Sequence, residues 1–97
     1  MASKIEYLDF VLEQLDLLDN ITYRQMMGEF LLYYHQVLIG GIYDDRLLVK
    51  IVKENKKYGM RETIPYQGAK AMYLVSDVDD KELLKDIILD TYKCLIK

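Results

Sequence analysis

Two stretches with the 3.6-residue period of an amphipathic helix bracket a long middle that alternates with the two-residue period of strands, and this order constrains the fold more than any single residue does. Near the N-terminus Ile5, Leu8, Leu12 and Leu15 recur at spacings of three, four and three, giving one apolar stripe. Glu6, Asp9, Glu13 and Asp16 cover much of the remaining surface, while Phe10 and Leu17 lie off the stripe and widen the apolar face. Ser3 and Glu6 stand three apart, the spacing of a capping box, and Asp19-Asn20 is a stop and turn signal. At the other end, a helix over about 80–95 is predicted by the stripe Leu84, Ile87, Ile88, Thr91 and Leu95. Val78, Asp79, Glu82 and Leu83 have the spacing of a hydrophobic staple around an acidic N-cap.

Between the helices the chain reads as strands joined by short turns. Thr22 to Met27 alternates, Gly28-Glu29 breaks it, and Phe30 to Tyr34 resumes as a mostly apolar strand with both faces partly covered. His35-Gln36 makes a short turn although neither residue favours positive φ, and Val37 to Tyr43 is the next strand. Gly40-Gly41 inside a strand implies a bulge or the close approach of another element. Asp44-Asp45 turns the chain into Arg46 to Val52. Lys53 to Tyr58 predicts a short basic helix with Gly59 as its terminating residue. Met60 to Lys70, with Pro65 and Gly68, is a loop with a short strand near Ile64, and Ala71 to Val75 is a further strand. Consecutive strands on short connections make a largely antiparallel sheet, and both long helices need a sheet face to bury their stripes. The expected fold is therefore α+β: a two-layer α/β sandwich spanning residues 1–97 as one domain, with two long terminal helices.

Composition removes several classes of function. A chain of 97 residues with 52% hydrophobic and 30% charged residues has the balance of one ordered globular domain. One Cys excludes an internal disulfide and a four-thiolate zinc site, and one His excludes a His-rich metal centre. A net charge of −3 argues against whole-surface attraction to nucleic acid or anionic lipid. Glu6 and Asp9 interrupt the first apolar stretch, so no signal peptide is expected, nor is a membrane span. The cytoplasm is the expected location.

The run Tyr23-Arg24-Gln25-Met26-Met27-Gly28-Glu29-Phe30-Leu31-Leu32-Tyr33 resembles the opening strand motif of the TfoX N-terminal domain family, Arg-x-Met-Phe-Gly-Glu followed by an aromatic residue and a Tyr. Arg24, Met26, Gly28, Glu29, Phe30 and Tyr33 match that motif, and Met27 replaces its usual Phe. Asp44-Asp45-Arg46-Leu47 with Val49-Lys50 is similar to the family's Asp-Asp-x-Leu-x-x-Lys turn and strand, and the Pro65-Tyr66 loop, Met72-Tyr73 strand and last helix follow in order. The resemblance covers nearly the whole chain. It implies an α-β(3)-α-β(2)-α arrangement and a role in regulation, the family being named for a regulator of competence genes. Longer members carry a second, C-terminal domain, and activities that rest on it do not transfer here. The family pattern brings no catalytic residues.

The candidate chemistry is correspondingly sparse. Arg24 and Glu29 are placed to form an ion pair or to hold a turn beside Gly28. Residues 46–70 hold seven basic side chains against Glu54 and Glu62, whereas residues 1–20 hold Lys4 against five acids, so charge is segregated along the chain. Lys50, Lys53, Lys56, Lys57, Tyr58 and Arg61 are the candidate contacts to phosphate or to an acidic protein surface. His35 and Cys94 have no spacing that supports a nucleophilic dyad, and Asp44-Asp45 and Asp79-Asp80 read as turn and cap rather than metal ligands. Nine Tyr and no Trp would suit a protein-binding sheet face or a core with hydroxyls at its edge. The expectation is a non-enzymatic regulatory or interaction domain without cofactor or metal, binding a protein partner or forming a homodimer. An accessory nucleic-acid-binding domain using residues 46–70 is the alternative, and a small-molecule-binding or enzymatic domain ranks last.

Overall fold

A computed structural model describes residues 3–97. Helix α1 (Ile5–Gln14) leads into four strands, β1 (Ile21–Met26), β2 (Glu29–Tyr34), β3 (Val37–Ile42) and β4 (Leu47–Val49). A 3-10 helix (Lys53–Tyr58), β5 (Arg61–Thr63), β6 (Met72–Leu74) and helix α2 (Lys81–Leu95) complete the chain. The strands form one sheet in the order β1-β2-β3-β4-β6-β5, antiparallel at every pairing. The expected α+β architecture is present, with four strands ahead of the short helix where the family pattern implies three. No helix among the described residues is long and apolar enough to cross a membrane.

Turn geometry sets the sheet's register. Met27-Gly28, His35-Gln36 and Asp44-Asp45 each place both central residues at positive φ, the requirement of the two-residue turn that matches strand twist. Only one of those six residues is a glycine, so the sheet holds five non-glycine residues in a costly conformation. The glycine pair in β3 is explained by crowding. A Cβ on Gly40 would stand 2.1 Å from the Leu48 carbonyl oxygen, and one on Gly41 would stand 2.6 Å from that of Phe30. Beside them, the β2–β3 register shifts between Leu32 and Tyr33, so the expected bulge and close approach both occur.

Both helices pack on one face, here called inner. Leu8, Val11 and Leu15 of the α1 segment meet Phe30, Leu32 and Tyr34 of β2 and Leu84, Ile87 and Ile88 of α2 in a single buried cluster. Three sequence expectations need correction. The α1 stripe runs through Val11, while Ile5 is 52% exposed. The residue preceding α1 is Lys4, which caps nothing with its side chain, and Ser3 bonds elsewhere instead of closing a box with Glu6. The α2 N-cap is Asp80, whose carboxylate accepts from the Leu83 amide at 3.1 Å, one residue beyond the expected Asp79.

Candidate functional site

Sheet register separates the two faces residue by residue. Arg24, Leu31, Gly41, Leu48, Leu74 and Arg61 form one row across all six strands on the face away from the helices. That outer face is only partly covered. The segment 64–71 walls a groove of about 570 Å³ lined by Leu38, Tyr43, Lys50, Pro65, Tyr66 and Met72, among others. Tyr66 is 62% exposed, and its ring lies 6.0 Å from that of buried Tyr43. Burial and the neighbouring Tyr66, Glu29 and Tyr33 all push the Tyr43 hydroxyl above its usual pKa, so it stays neutral.

Arg46 fixes this wall. Its Nε donates to the Tyr43 carbonyl at 3.1 Å, one terminal nitrogen to Thr63 Oγ1 at 3.2 Å and the other to the Pro65 carbonyl at 3.3 Å. The Arg of the Asp-Asp-Arg-Leu turn thus ties the turn to the returning segment. A guanidinium suits this because its planar fork serves several acceptors at once.

The residues of the first sequence motif do not converge on a ligand site. Glu29 accepts from the Ser3 amide at 2.9 Å and the Ser3 hydroxyl at 2.6 Å through Oε1, and from the Asp44 amide at 3.1 Å through Oε2. Asp45 closes the same knot, accepting from the Lys4 amide at 2.8 Å while its own amide donates to Ser3 Oγ at 3.0 Å. Glu29 therefore joins the start of α1 to two hairpin turns. Arg24 does not share this knot: it stands opposite Leu31 on edge strand β1, exposed to solvent. Phe30 is core, Tyr33 is half-buried on the outer face, and Gly28 forms the turn at φ 83°. Met26 is 53% exposed beside it.

The basic segment splits in two. Lys50 lines the outer-face groove. Lys57 and Tyr58 lie on the helical side, where the Tyr58 hydroxyl donates to Asp90 Oδ2 and the Lys57 ammonium sits 3.1 Å from the same oxygen. Burial works to raise the Asp90 carboxyl, but the Tyr58 and Lys57 hydrogen bonds and nearby positive charge outweigh it and hold its pKa below the usual value. Burial and the Asp90 carboxylate push the Tyr58 hydroxyl well above its usual range. Lys53, Lys56 and Arg61 are exposed.

The sequence reading did not single out Asn55, which anchors the 3-10 helix from inside. Its side chain donates to the Lys50 carbonyl and to Thr91 Oγ1, both at 2.8 Å, and accepts from the Val52 amide at 3.1 Å. Thr91 passes a hydrogen bond on to the Ile87 carbonyl at 2.7 Å. The sequence signal available for Asn55 was an amide at the third position of a short helix, where it can reach back to the backbone before the first turn.

No family model matches the chain. It is 30% identical over 80 residues to the "Uncharacterized 12.7 kDa protein in trpE 5'region" of Spirochaeta aurantia, an alignment covering 80% of this chain and 70% of that protein. The chain belongs to that protein's family. Membership extends over most of the fold described above and assigns no activity to the groove.

Proposed function

We propose that this chain is a cytoplasmic, non-enzymatic regulatory domain that acts by binding protein through the outer face of its sheet. The observation that carries this reading is the groove beside Tyr66, an open channel of mixed apolar and polar lining bordered by Lys50 and Lys70 and walled by a segment that Arg46 pins in place. Exposed aromatic area next to a supported backbone is the usual makeup of a protein-binding surface. The resemblance to the TfoX N-terminal domain supports a regulatory role, by analogy of sequence pattern. The nucleic-acid alternative draws on the exposed Lys53, Lys56 and Arg61, but Asp90 engages both Lys57 and Tyr58, so the basic segment does not act as one patch.

Site-specific photo-crosslinking in cells tests the proposal. A photoreactive residue replacing Tyr66 should give protein adducts that survive nuclease treatment, and the same residue replacing Lys93 on α2 should give few. Equal labelling from both positions, or Tyr66 adducts that vanish with nuclease, would refute it.

A further inference from the structure

Helix α1 is acidic, whereas the groove on the outer sheet face is flanked by lysines. Glu6, Asp9, Glu13 and Asp16 lie in or just after α1, while on α2 Lys81, Lys85 and Lys93 balance Glu82, Asp86 and Asp90. On the outer sheet face the row through all six strands begins at Arg24 and ends at Arg61, and Lys50 and Lys70 line the groove. Of the acids at the rim of this face, Glu29 has both carboxylate oxygens occupied by Ser3 and Asp44, Asp45 accepts from the Lys4 amide, and Asp44 is exposed. Neither Lys50 nor Lys70 is in an ion pair among the described residues.

From this arrangement we infer that the outer-face groove receives an extended acidic peptide segment of a partner protein, one that inserts a bulky apolar side chain between carboxylates. The inference rests on the interaction-domain reading above and adds the chemistry of the partner. Leu38, Tyr43, Pro65, Tyr66 and Met72 provide an apolar bed for the anchor, and the groove's volume of about 570 Å³ accommodates one large side chain with its flanking backbone. Lys50 and Lys70 meet the flanking carboxylates. The acids of α1 repel the same segment, which favours its approach from the groove side. A nucleic acid fits less well: within the groove only Tyr66 offers a well-exposed ring for base stacking.

Selection from a randomised peptide library displayed on phage provides the test, with the full chain as bait and an oligothymidylate as competitor. Selected peptides are expected to place Leu, Phe or Trp between Asp or Glu residues. A labelled peptide of the selected sequence should bind the Lys50→Glu/Lys70→Glu variant at least about tenfold more weakly, because two attractive contacts become repulsive. Tyr66→Ser should weaken binding comparably, and Lys93→Glu should leave it unchanged. Circular dichroism of each variant verifies the fold. The inference is overturned if nothing is selected, if selected peptides show no acidic excess, if the charge-reversed variant binds equally, or if oligothymidylate alone occupies the groove. Protein cross-links from Tyr66 to a segment without acids would overturn the partner chemistry and leave the interaction domain standing. Absence of any such cross-link removes both.

Discussion

Ser3 and Glu29 lie 26 residues apart and are joined twice, the Ser3 amide and hydroxyl both donating to Glu29 Oε1 at 2.9 and 2.6 Å. With the Asp44 amide on the other oxygen, one carboxylate holds the start of α1 against the β2 and β3–β4 turns. The Glu of the Gly-Glu motif is therefore a structural tie. Glu29→Gln keeps the size but removes the charge that three donors converge on, and hydrogen bonds to a charged acceptor are worth more than neutral ones. We expect a loss of about 1–2 kcal/mol in urea unfolding. Amide exchange should accelerate in α1 while central strands β3 and β4 keep their protection. Uniform acceleration, or none, would contradict this role.

The sequence disclosed the architecture because its periods are strong. The α2 stripe buries Leu84, Ile87, Ile88 and Thr91 as its spacing predicts, and the mostly apolar β2 is covered on both faces to different degrees. The alternation read in Thr22–Met27 is not matched by burial, because β1 is an exposed edge strand. Gly40-Gly41 was legible too, since two glycines amid β-formers signal crowding. What stayed hidden depends on contacts between distant segments. Ser3 fits a local capping box and a distant partner equally well on paper, and only the folded turn positions show that Glu29 and Asp45 take it. The choice between adjacent Asp79 and Asp80 as N-cap lies within one residue, below what spacing resolves. The groove was invisible because its wall is a segment without regular structure for most of its length, pinned by Arg46 from the turn between β3 and β4.

Tyr58, Lys57 and Asp90 form a clasp between the 3-10 helix and α2, and it should loosen at both extremes of pH. Asp90 titrates below the ordinary carboxylate value of 3.8 in the folded protein. Its contribution is present above that value and is lost as pH falls through the folded pKa. Tyr58 titrates above the ordinary value of 10.0 when folded. Its contribution is complete below pH 10.0 and is lost as pH rises towards the folded pKa. Tyr58→Phe should cost about 1–2 kcal/mol near neutral pH and flatten the alkaline fall in stability. Urea midpoints measured across pH for the wild type and variant decide this; an unchanged alkaline slope would show that Tyr58 is not the group responsible.

The turn at His35-Gln36 offers a gain in stability. Gln36 is exposed and adopts φ 67°, so little packing offsets the conformation. Gln36→Gly should raise stability by about 0.5–1 kcal/mol. The same change at His35 should not help, because the His35 ring lies edge-on to Tyr34 at a centroid distance of 4.3 Å and near Tyr92 at 5.7 Å. Thermal melts of the two variants should shift in opposite directions or leave His35→Gly near the wild type. A fall for Gln36→Gly would mean that glycine's cost to the unfolded state outweighs the relieved strain.

Arg46 links fold to proposed function, since the groove wall depends on it. Arg46→Met keeps the aliphatic stem and removes the donors to Thr63 and to the carbonyls of Tyr43 and Pro65. The core lies on the other face, so global stability should fall by only about 1 kcal/mol. The returning segment should loosen much more. Its internal turn, in which the Ala69 amide donates to the Tyr66 carbonyl at 3.0 Å, reports this through amide exchange. Protein capture from Tyr66 should drop several-fold as the wall loses its fixed position, because binding then bears the cost of ordering it. Normal capture with a loosened Ala69 amide would show that the partner reads the sheet itself and not the pinned wall.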